Sequence, residues 1–219
     1  MPTARFRLVV GLLGLAALAM NPARAAAQQD SPRLSIAAGA GAAMPLHGDL
    51  DFIAREWQMS VRGSVTPHFA LEGFFSSWRH DTTRVLLDQA IQGPTGFLGR
   101  VGRIEETTAH KVRVVGVNAL ATGTIGRVSV AGGGGIGLWM LDRRFHQSST
   151  GCDASVPQLC RSVASTFTNN SETAQAVVDV DVAATRRVHV FGRYQLLLLF
   201  QDPGSGHGSA AAGLRVVLW

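Results

Sequence analysis

The chain has 219 residues, of which 46% are hydrophobic and 16% are charged, a composition too apolar and too weakly charged for a disordered protein. Much of the formal net charge of +5 comes from Arg5, Arg7 and Arg24, which lie in an N-terminal segment that contains no acid. The rest of the chain carries 17 basic and 15 acidic side chains, and Lys111 is the only lysine. Because no basic stripe is left to face a nucleic acid, we exclude a nucleic-acid-binding protein.

The N-terminal segment has the three parts of a secretory signal peptide. A positively charged stretch precedes the apolar run Leu8–Met20, and small residues that allow cleavage after Ala25 or Ala27 follow. We favour Ala27, which gives a signal peptide at 1–27 and a folded domain at 28–219. The alternative is an uncleaved membrane helix, but thirteen apolar residues at about 1.5 Å each do not span a hydrocarbon core of about 30 Å.

Hydrophobic residues of the exported part recur with period two, the pattern of strands with one apolar and one polar face. The clearest segment is 57–65, where Trp57 and Met59 alternate with polar residues such as Gln58. Eight candidate strands follow from this pattern, at 33–43, 55–66, 69–79, 109–122, 126–141, 173–184, 187–200 and 208–219. The alternation is less regular near Phe74 and Val114, where the sequence leaves bulges or register errors open. Since no later run is long enough for a membrane helix, a membrane protein of this sequence must be a closed barrel.

Short and long connections alternate between the eight segments. Turn-length connections are predicted at Pro67–His68, Gly123–Ile125 and Thr185–Arg186, whereas the loops near 80–108 and 142–172 exceed the usual length of loops in compact soluble domains. Outer-membrane barrels have this layout, with short turns in the periplasm and long loops outside. The sequence therefore predicts an all-β fold, an eight-stranded antiparallel up-and-down transmembrane β-barrel.

The polar face of each strand would point into the barrel, whose interior at eight strands is just wide enough for side chains. The alternation predicts six charged residues there: Arg62, Glu72, Asp179, Asp181, Arg193 and Arg215. A lone buried charge costs several kcal/mol, whereas paired charges with hydrogen bonds offset that cost. We therefore predict a mixed-sign ionic network that fills the interior. A narrow, gated ion pathway is the alternative.

Aromatic rings with an apolar body and a polar edge favour membrane–water interfaces, although they also cap soluble sandwiches. Six aromatic residues near strand ends are predicted to lie at the two interfaces: Trp57, Phe69, Trp78, Trp139, Phe200 and Trp219. Phe69 and Trp219 belong to the rim of the short turns, and the other four belong to the opposite rim.

Cys152 and Cys160 are the only cysteines of the sequence and lie within one predicted loop. Thiols of an exported chain are normally oxidised, so we predict a disulfide between them. Zinc is the alternative because His146 lies nearby, but these three residues lack a fourth ligand.

The remaining polar patterns predict no catalytic, cofactor or metal site. The run Gly132–Gly135 lacks the lysine of a phosphate-binding loop and is interpreted as part of a strand. Ser205, His207 and Ser209 lie near a glycine-rich loop tip without a third group to orient a catalytic base. We therefore predict that the chain is not an enzyme and needs no cofactor.

Three segments are similar to those of a known family. Val128–Trp139 is a glycine-rich run after a short turn, Val177–Tyr194 forms two strands across a tight turn, and Gly213–Trp219 ends on an aromatic residue. Together they resemble the eight-stranded OmpA-like outer-membrane protein β-barrel domain family. Arg215 departs from the alternation of the terminal strand, so either its apolar neighbours face lipid or this signal is degenerate.

The resemblance implies a location in the bacterial outer membrane, with membrane lipids as partners. It also implies contacts with periplasmic chaperones and the barrel-insertion machinery during biogenesis. We expect a monomeric envelope protein that acts as a structural or surface-binding component or as a minor channel, and the sequence does not indicate which ligand the loops bind. The alternatives are a soluble secreted lipocalin-like barrel with an apolar ligand and, less favoured, a lipid-modifying enzyme.

Overall fold

The computed structural model describes residues 33–45, 53–93, 96–152, 160, 162–200 and 206–218. Eight strands follow in chain order: β1 (Leu34–Pro45), β2 (Ala54–Thr66), β3 (Phe69–Gly93), β4 (Gly96–Ile125), β5 (Val128–Cys152), β6 (Ser162–Ala183), β7 (Val188–Leu199) and β8 (Gly206–Val217). The predicted signal peptide at 1–27, Ser205 and Trp219 lie outside the described residues. Among the described residues, no helix has the length and apolarity of a membrane span.

The eight strands form a closed antiparallel barrel in chain order, which confirms the predicted fold. β1 pairs with β2, where Gly41 lies opposite Glu56, and closes the barrel by pairing with β8, where Gly41 lies opposite Ala211. β7 pairs with β6 on one side and with β8 on the other. Because the first strand pairs with the last, the backbone groups of both find partners within the barrel, as a lipid environment requires.

Side chains alternate between the two faces of the barrel wall with the predicted phase. Along β2, Gln58 and Arg62 are buried while Trp57 and Val61 are exposed on the outside. The terminal strand behaves in the same way, since Arg215 is buried while Leu214 and Val216 are exposed. This agrees with the alternative in which the apolar neighbours of Arg215 lie on the outer face of the barrel.

The bulges considered near Phe74 and Val114 are not needed. Phe74 is buried and Phe75 is less so, and Val114 is buried while Val115 is exposed. Adjacent apolar residues here simply occupy opposite faces, one inside the barrel and one outside.

Three short turns join β2 to β3, β4 to β5 and β6 to β7. The turns at Pro67–His68 and around Thr185–Arg186 lie where the sequence predicts them. The middle turn lies at Gly126–Arg127 rather than at Gly123–Ile125. Gly126 adopts a φ of +62°, a left-handed conformation that glycine takes without a steric penalty, and this places the turn.

The prediction of two long loops near 80–108 and 142–172 is wrong, because most of these residues lie in strands. β3 and β4 run through the first and are joined across residues 94–95, and β5 and β6 occupy most of the second. Threonine, valine and other strand-forming residues are frequent in both segments. Their side chains are largely exposed, so the apolar alternation that marks a half-buried strand is absent from the sequence.

The chain divides into two compact units. The barrel unit comprises the described residues of Met1–Ser77, Val114–Trp139 and Ser171–Trp219, and the hairpin unit comprises Trp78–Arg113 and Met140–Asn170. Each unit is considered by itself below.

Candidate functional site

The six charged residues predicted for the barrel interior are all buried and lie together in the barrel unit. We call this set the ionic cluster: Arg62, Glu72, Asp179, Asp181, Arg193 and Arg215. Three guanidinium groups face three carboxylates, so the formal charges of the cluster cancel. A balanced set of this kind meets the condition under which buried charges are tolerated, which is that each has a partner and hydrogen bonds.

Asp179 lies at the centre of the ionic cluster and contacts all three arginines. Arg193 donates to both of its oxygens, at 2.7 Å from Nε and 2.9 Å from Nη2, and Arg215 Nη2 donates to Oδ2 at 3.0 Å. Arg62 Nη2 donates to the same Oδ2 atom. Bidentate arginine–carboxylate pairs fix geometry as well as charge, so Asp179 holds the arginines in place.

Glu72 and Asp181 complete the ionic cluster on either side of Asp179. Arg193 Nη2 lies 2.6 Å from each carboxylate oxygen of Glu72, and Arg62 donates to the same group at 2.8 and 3.2 Å. Asp181 accepts a hydrogen bond from Arg215, whose guanidinium also lies 5.3 Å from the centroid of the Phe191 ring. This cation–π contact stabilises the position of the Arg215 guanidinium group.

A ladder of buried amides extends from the ionic cluster and was missed by sequence reasoning. Asn118 donates to Glu72 Oε1 at 3.1 Å, Gln175 donates to Asn118 Oδ1 at 2.7 Å, and Gln195 donates to Gln175 Oε1 at 2.5 Å. All three amides are buried on the inward face of their strands. Gln175 lies an even number of residues from Asp179 on β6, and Gln195 lies an even number of residues from Arg193 on β7. Every second residue from Asp179 and from Arg193 points inward, so the alternation in the sequence could have identified Gln175 and Gln195 as interior residues.

The outer surface of the barrel unit is apolar. Exposed large hydrophobic side chains occur on every strand of the unit, and examples are Ile36, Met59, Val61, Leu71, Val117, Val130, Ile136, Leu138, Val178, Val180, Val190, Leu198, Leu214 and Val216. A soluble monomer does not expose so much contiguous apolar surface. An outward apolar band around a polar interior is the arrangement of a transmembrane barrel.

The predicted interface aromatics divide into two groups. Trp57, Phe69 and Phe200 are exposed, and the Trp57 ring lies 5.0 Å from the ring of Phe75. Trp78 and Trp139 are buried, so their placement at an interface with lipid is wrong. Both have the inward phase of their strand, and strand phase outweighs nearness to a rim in deciding where a side chain points. Trp139 instead stacks on His207 at 6.2 Å between ring centroids.

The hairpin unit contains the predicted disulfide, which joins Cys152 and Cys160. Both thiols are consumed, and His146 bonds Ser162 at 3.2 Å, so the zinc alternative lacks its thiolate ligands. No cluster of three or more potential metal ligands among His, Cys, Asp and Glu occurs within the described ranges.

The hairpin unit also presents a polar surface. Arg103 and Glu105 form an ion pair of 2.9 Å beside an open cavity of about 350 Å³, which Ser148 and Thr150 also line. Burial, with smaller contributions from Arg143 and His80, lowers the pKa of His110 below its usual range, although Asp81 opposes this shift.

The chain is similar to solved structures of bacterial outer-membrane proteins. A major outer membrane protein from Thermus thermophilus is similar with a TM-score of 0.55 and 12% identity, over 86% of this chain and 100% of that one. Ail, the attachment invasion locus protein of Yersinia pestis, has a TM-score of 0.49 and 13% identity over 85% and 97% of the two chains. The outer membrane protease OmpT of Escherichia coli has a TM-score of 0.42 and 8% identity over 87% and 99%.

No protein-family model and no curated protein sequence matches this chain. Fold alone does not decide activity, so the expectation that the chain is not an enzyme stays a prediction. The chain has the eight-stranded, OmpA-like outer-membrane β-barrel fold and is a protein of the bacterial outer membrane.

Proposed function

We propose that the protein is a monomeric outer-membrane barrel with a closed interior that acts as a surface-binding component of the cell envelope. The observation that supports this best is the ionic cluster, in which hydrogen bonds of 2.6 to 3.0 Å from Arg193 and Arg215 cross the barrel interior. Ions could pass only if several buried charge pairs separated, and separating such pairs is costly. We therefore assign the function to the surface of the protein rather than to transport.

Conductance of the purified, folded protein in planar bilayers tests the closed interior. We expect no large and steady channels, because the side chains of the ionic cluster occupy the centre of the barrel. Protein-free detergent at the same concentration is the control. Reproducible, long-lived openings with the folded protein would contradict this part of the proposal and favour the minor channel.

The exposed charges of the hairpin unit indicate the class of ligand. Arg84, Lys111, Arg143 and Arg144 are exposed, and none has a carboxylate within 4.0 Å among the described residues. Three other arginines of the unit are already neutralised by ion pairs to aspartate or glutamate. Uncompensated surface cations attract polyanions, so we propose an acidic polysaccharide as the ligand.

Retention on immobilised heparin, used as a model polyanion, tests this assignment. The double variant Arg143→Gln/Arg144→Gln should elute at a lower salt concentration than the wild type, because it loses two exposed cations of the hairpin unit. Arg186→Gln/Arg187→Gln removes a matched pair of adjacent, exposed arginines from the β6–β7 turn of the barrel unit. An equal shift in both variants would show that only net charge matters and would contradict a site on the hairpins.

We also propose that the apolar belt contacts outer-membrane lipids and that chaperones and the barrel-insertion machinery receive the terminal strand. Leu214 and Val216 face outward on β8, and Val216 pairs with Ile36 of β1 at the closing seam. Leu214→Asp would place a charge in this face and should reduce the folded, membrane-inserted fraction. Ala184→Asp in the exposed β6–β7 turn is a charge-matched control. Normal insertion of Leu214→Asp would contradict the lipid-facing assignment.

A further inference from the structure

Glu56 is a buried carboxylate that does not belong to the ionic cluster. Its side chain lies inside the barrel unit, and the residue is 4% exposed. No lysine, arginine or histidine of the described residues forms an ion pair with it, in contrast to Glu72, Asp179 and Asp181. Its Oε2 atom has no hydrogen-bond partner among them either.

The residues of β1 nearest to Glu56 are small, and a serine of β8 lies beyond them. On β1, Gly41 lies opposite Glu56, and Ala43 lies between Ala54 and Ser209. Ser209 of β8 lies beside the carboxylate of Glu56 and hydrogen-bonds it. The Ser76 hydroxyl also lies beside it but forms no hydrogen bond of good geometry.

Other buried oxygens around this part of the interior are also unpartnered. Gln58, two residues from Glu56 on the same inward face, is 3% exposed, and neither of its polar atoms has a hydrogen-bond partner in the part of the chain that the structure describes. Gln195 lies directly opposite Ser209 and uses its amide nitrogen on Gln175, which leaves its Oε1 atom unpartnered. Arg193 is the arginine whose charge acts on Glu56, but its guanidinium is already engaged by Glu72 and Asp179.

A buried carboxylate without a counter-charge is unfavourable unless it binds a proton or a cation. The Glu56 carboxylate, the Ser76 and Ser209 hydroxyls beside it and the amide oxygens of Gln58 and Gln195 on the same inward faces are the kinds of ligand that hard cations such as Ca²⁺ prefer. We propose that Glu56 is the anionic ligand of a site for a small, hard cation inside the barrel, with Gln58, Ser76, Gln195 and Ser209 as neutral oxygen ligands. The ionic cluster, whose charges already cancel, is not part of this Glu56 site.

Terbium luminescence tests the proposal, because Tb³⁺ replaces Ca²⁺ at oxygen sites and an indole excites it at short range. Trp139 stacks on His207, two residues from Ser209 on β8, and thus lies at the same end of the interior. With the full-length, folded protein in detergent we expect saturable Tb³⁺ emission on excitation of tryptophan, reversed by Ca²⁺.

Glu56→Gln keeps the shape of the side chain and removes its charge, so it should weaken Tb³⁺ binding by about tenfold or more. Glu172→Gln, an exposed carboxylate of β6, is the matched control and should bind as the wild type does. Heat-modifiable migration verifies that each variant is folded. If Glu56→Gln does not fold, Gln58→Leu replaces it, with the same expectation of weaker binding.

Two results would overturn the proposal. One is Tb³⁺ emission that is unchanged in folded Glu56→Gln or Gln58→Leu. The other is no Tb³⁺ binding together with an infrared band of a protonated carboxyl group at neutral pH that disappears in Glu56→Gln, since the carboxyl would then be neutralised by a proton. Neither result bears on conductance or on heparin retention, so the proposed function is tested separately.

Discussion

Arg193 and Asp179 lie directly opposite each other on β7 and β6 and form a bidentate pair, with Nε to Oδ1 at 2.7 Å and Nη2 to Oδ2 at 2.9 Å. The same guanidinium bonds Glu72 on β3. One arginine therefore joins three strands across the interior of the barrel. This is the contact on which the ionic cluster depends most, because both carboxylates lose a partner if Arg193 is removed.

Arg193→Gln should lower the free energy of unfolding by about 3 to 5 kcal/mol, because it leaves buried carboxylates without compensation. Urea unfolding and refolding in lipid vesicles, followed by tryptophan fluorescence, measures the change. Arg113→Gln is the control, since Arg113 forms a partly exposed ion pair of 2.5 Å with Asp142. We expect a loss of at most about 1 kcal/mol there. Equal losses in both variants would count against a stabilising role of the ionic cluster.

Gly39→Ala should destabilise the barrel by about 1 to 3 kcal/mol, the usual range for overpacking. A Cβ atom on Gly39 would lie 2.8 Å from the Phe191 ring and 2.7 Å from the backbone oxygen of Ala212. Phe191 supports Arg215, so its displacement would also disturb the ionic cluster. The temperature at which gel migration changes from folded to unfolded is the measurement.

Gly63→Ala on the adjacent strand β2 is the matched control for Gly39→Ala. A Cβ atom at Gly63 would meet no atom within 4 Å, so we expect no loss of stability. If both alanine variants melted at the wild-type temperature, close packing between Gly39 and Phe191 would not contribute to stability.

The interior charges were predictable from sequence because period two is strongest where one face of a strand is polar and the other is apolar. Asp179 and Asp181 alternate with Val178 and Val180, and this alternation placed them inside. Trp139 was misplaced because its position near a rim was weighed above its phase. Partners across strands, such as Asn118 and Glu72, depend on register, which sequence periodicity does not determine.

The hairpin strands escaped sequence analysis for a different physical reason. Between Ser162 and Asn170 nearly every side chain is polar or small, and every residue is exposed. A strand without a buried face needs no alternation, so its sequence resembles that of a loop. Backbone pairing with a neighbouring strand, rather than burial of one face, determines its structure.

Removing the disulfide should affect the hairpin unit and leave the barrel unit unchanged. A ring closed by Cys152 and Cys160, eight positions apart, contributes on the order of 2 to 3 kcal/mol of local ordering in the loop-entropy model. Cys152→Ser/Cys160→Ser should therefore increase the rate of proteolysis near the junction of β5 and β6. The temperature of the folded-to-unfolded gel shift should stay constant. A large fall in that temperature would show that the disulfide stabilises the barrel unit as well.

The hairpin unit should lose stability as the pH falls below the ordinary pKa of histidine, about 6.5. Burial and the charges of Arg143 and His80 lower the pKa of His110 in the folded state, against the opposing effect of Asp81. The unfolded segment therefore binds a proton at a higher pH than the folded one, and protonation favours unfolding as the pH falls. Amide hydrogen exchange in β4 at pH 7 and pH 5 measures the effect, and NMR titration gives the pKa itself. His110→Gln should reduce the pH dependence, whereas His68→Gln in the exposed β2–β3 turn should retain it. If His110 titrated at or above the ordinary histidine pKa, acid would not weaken this unit through His110.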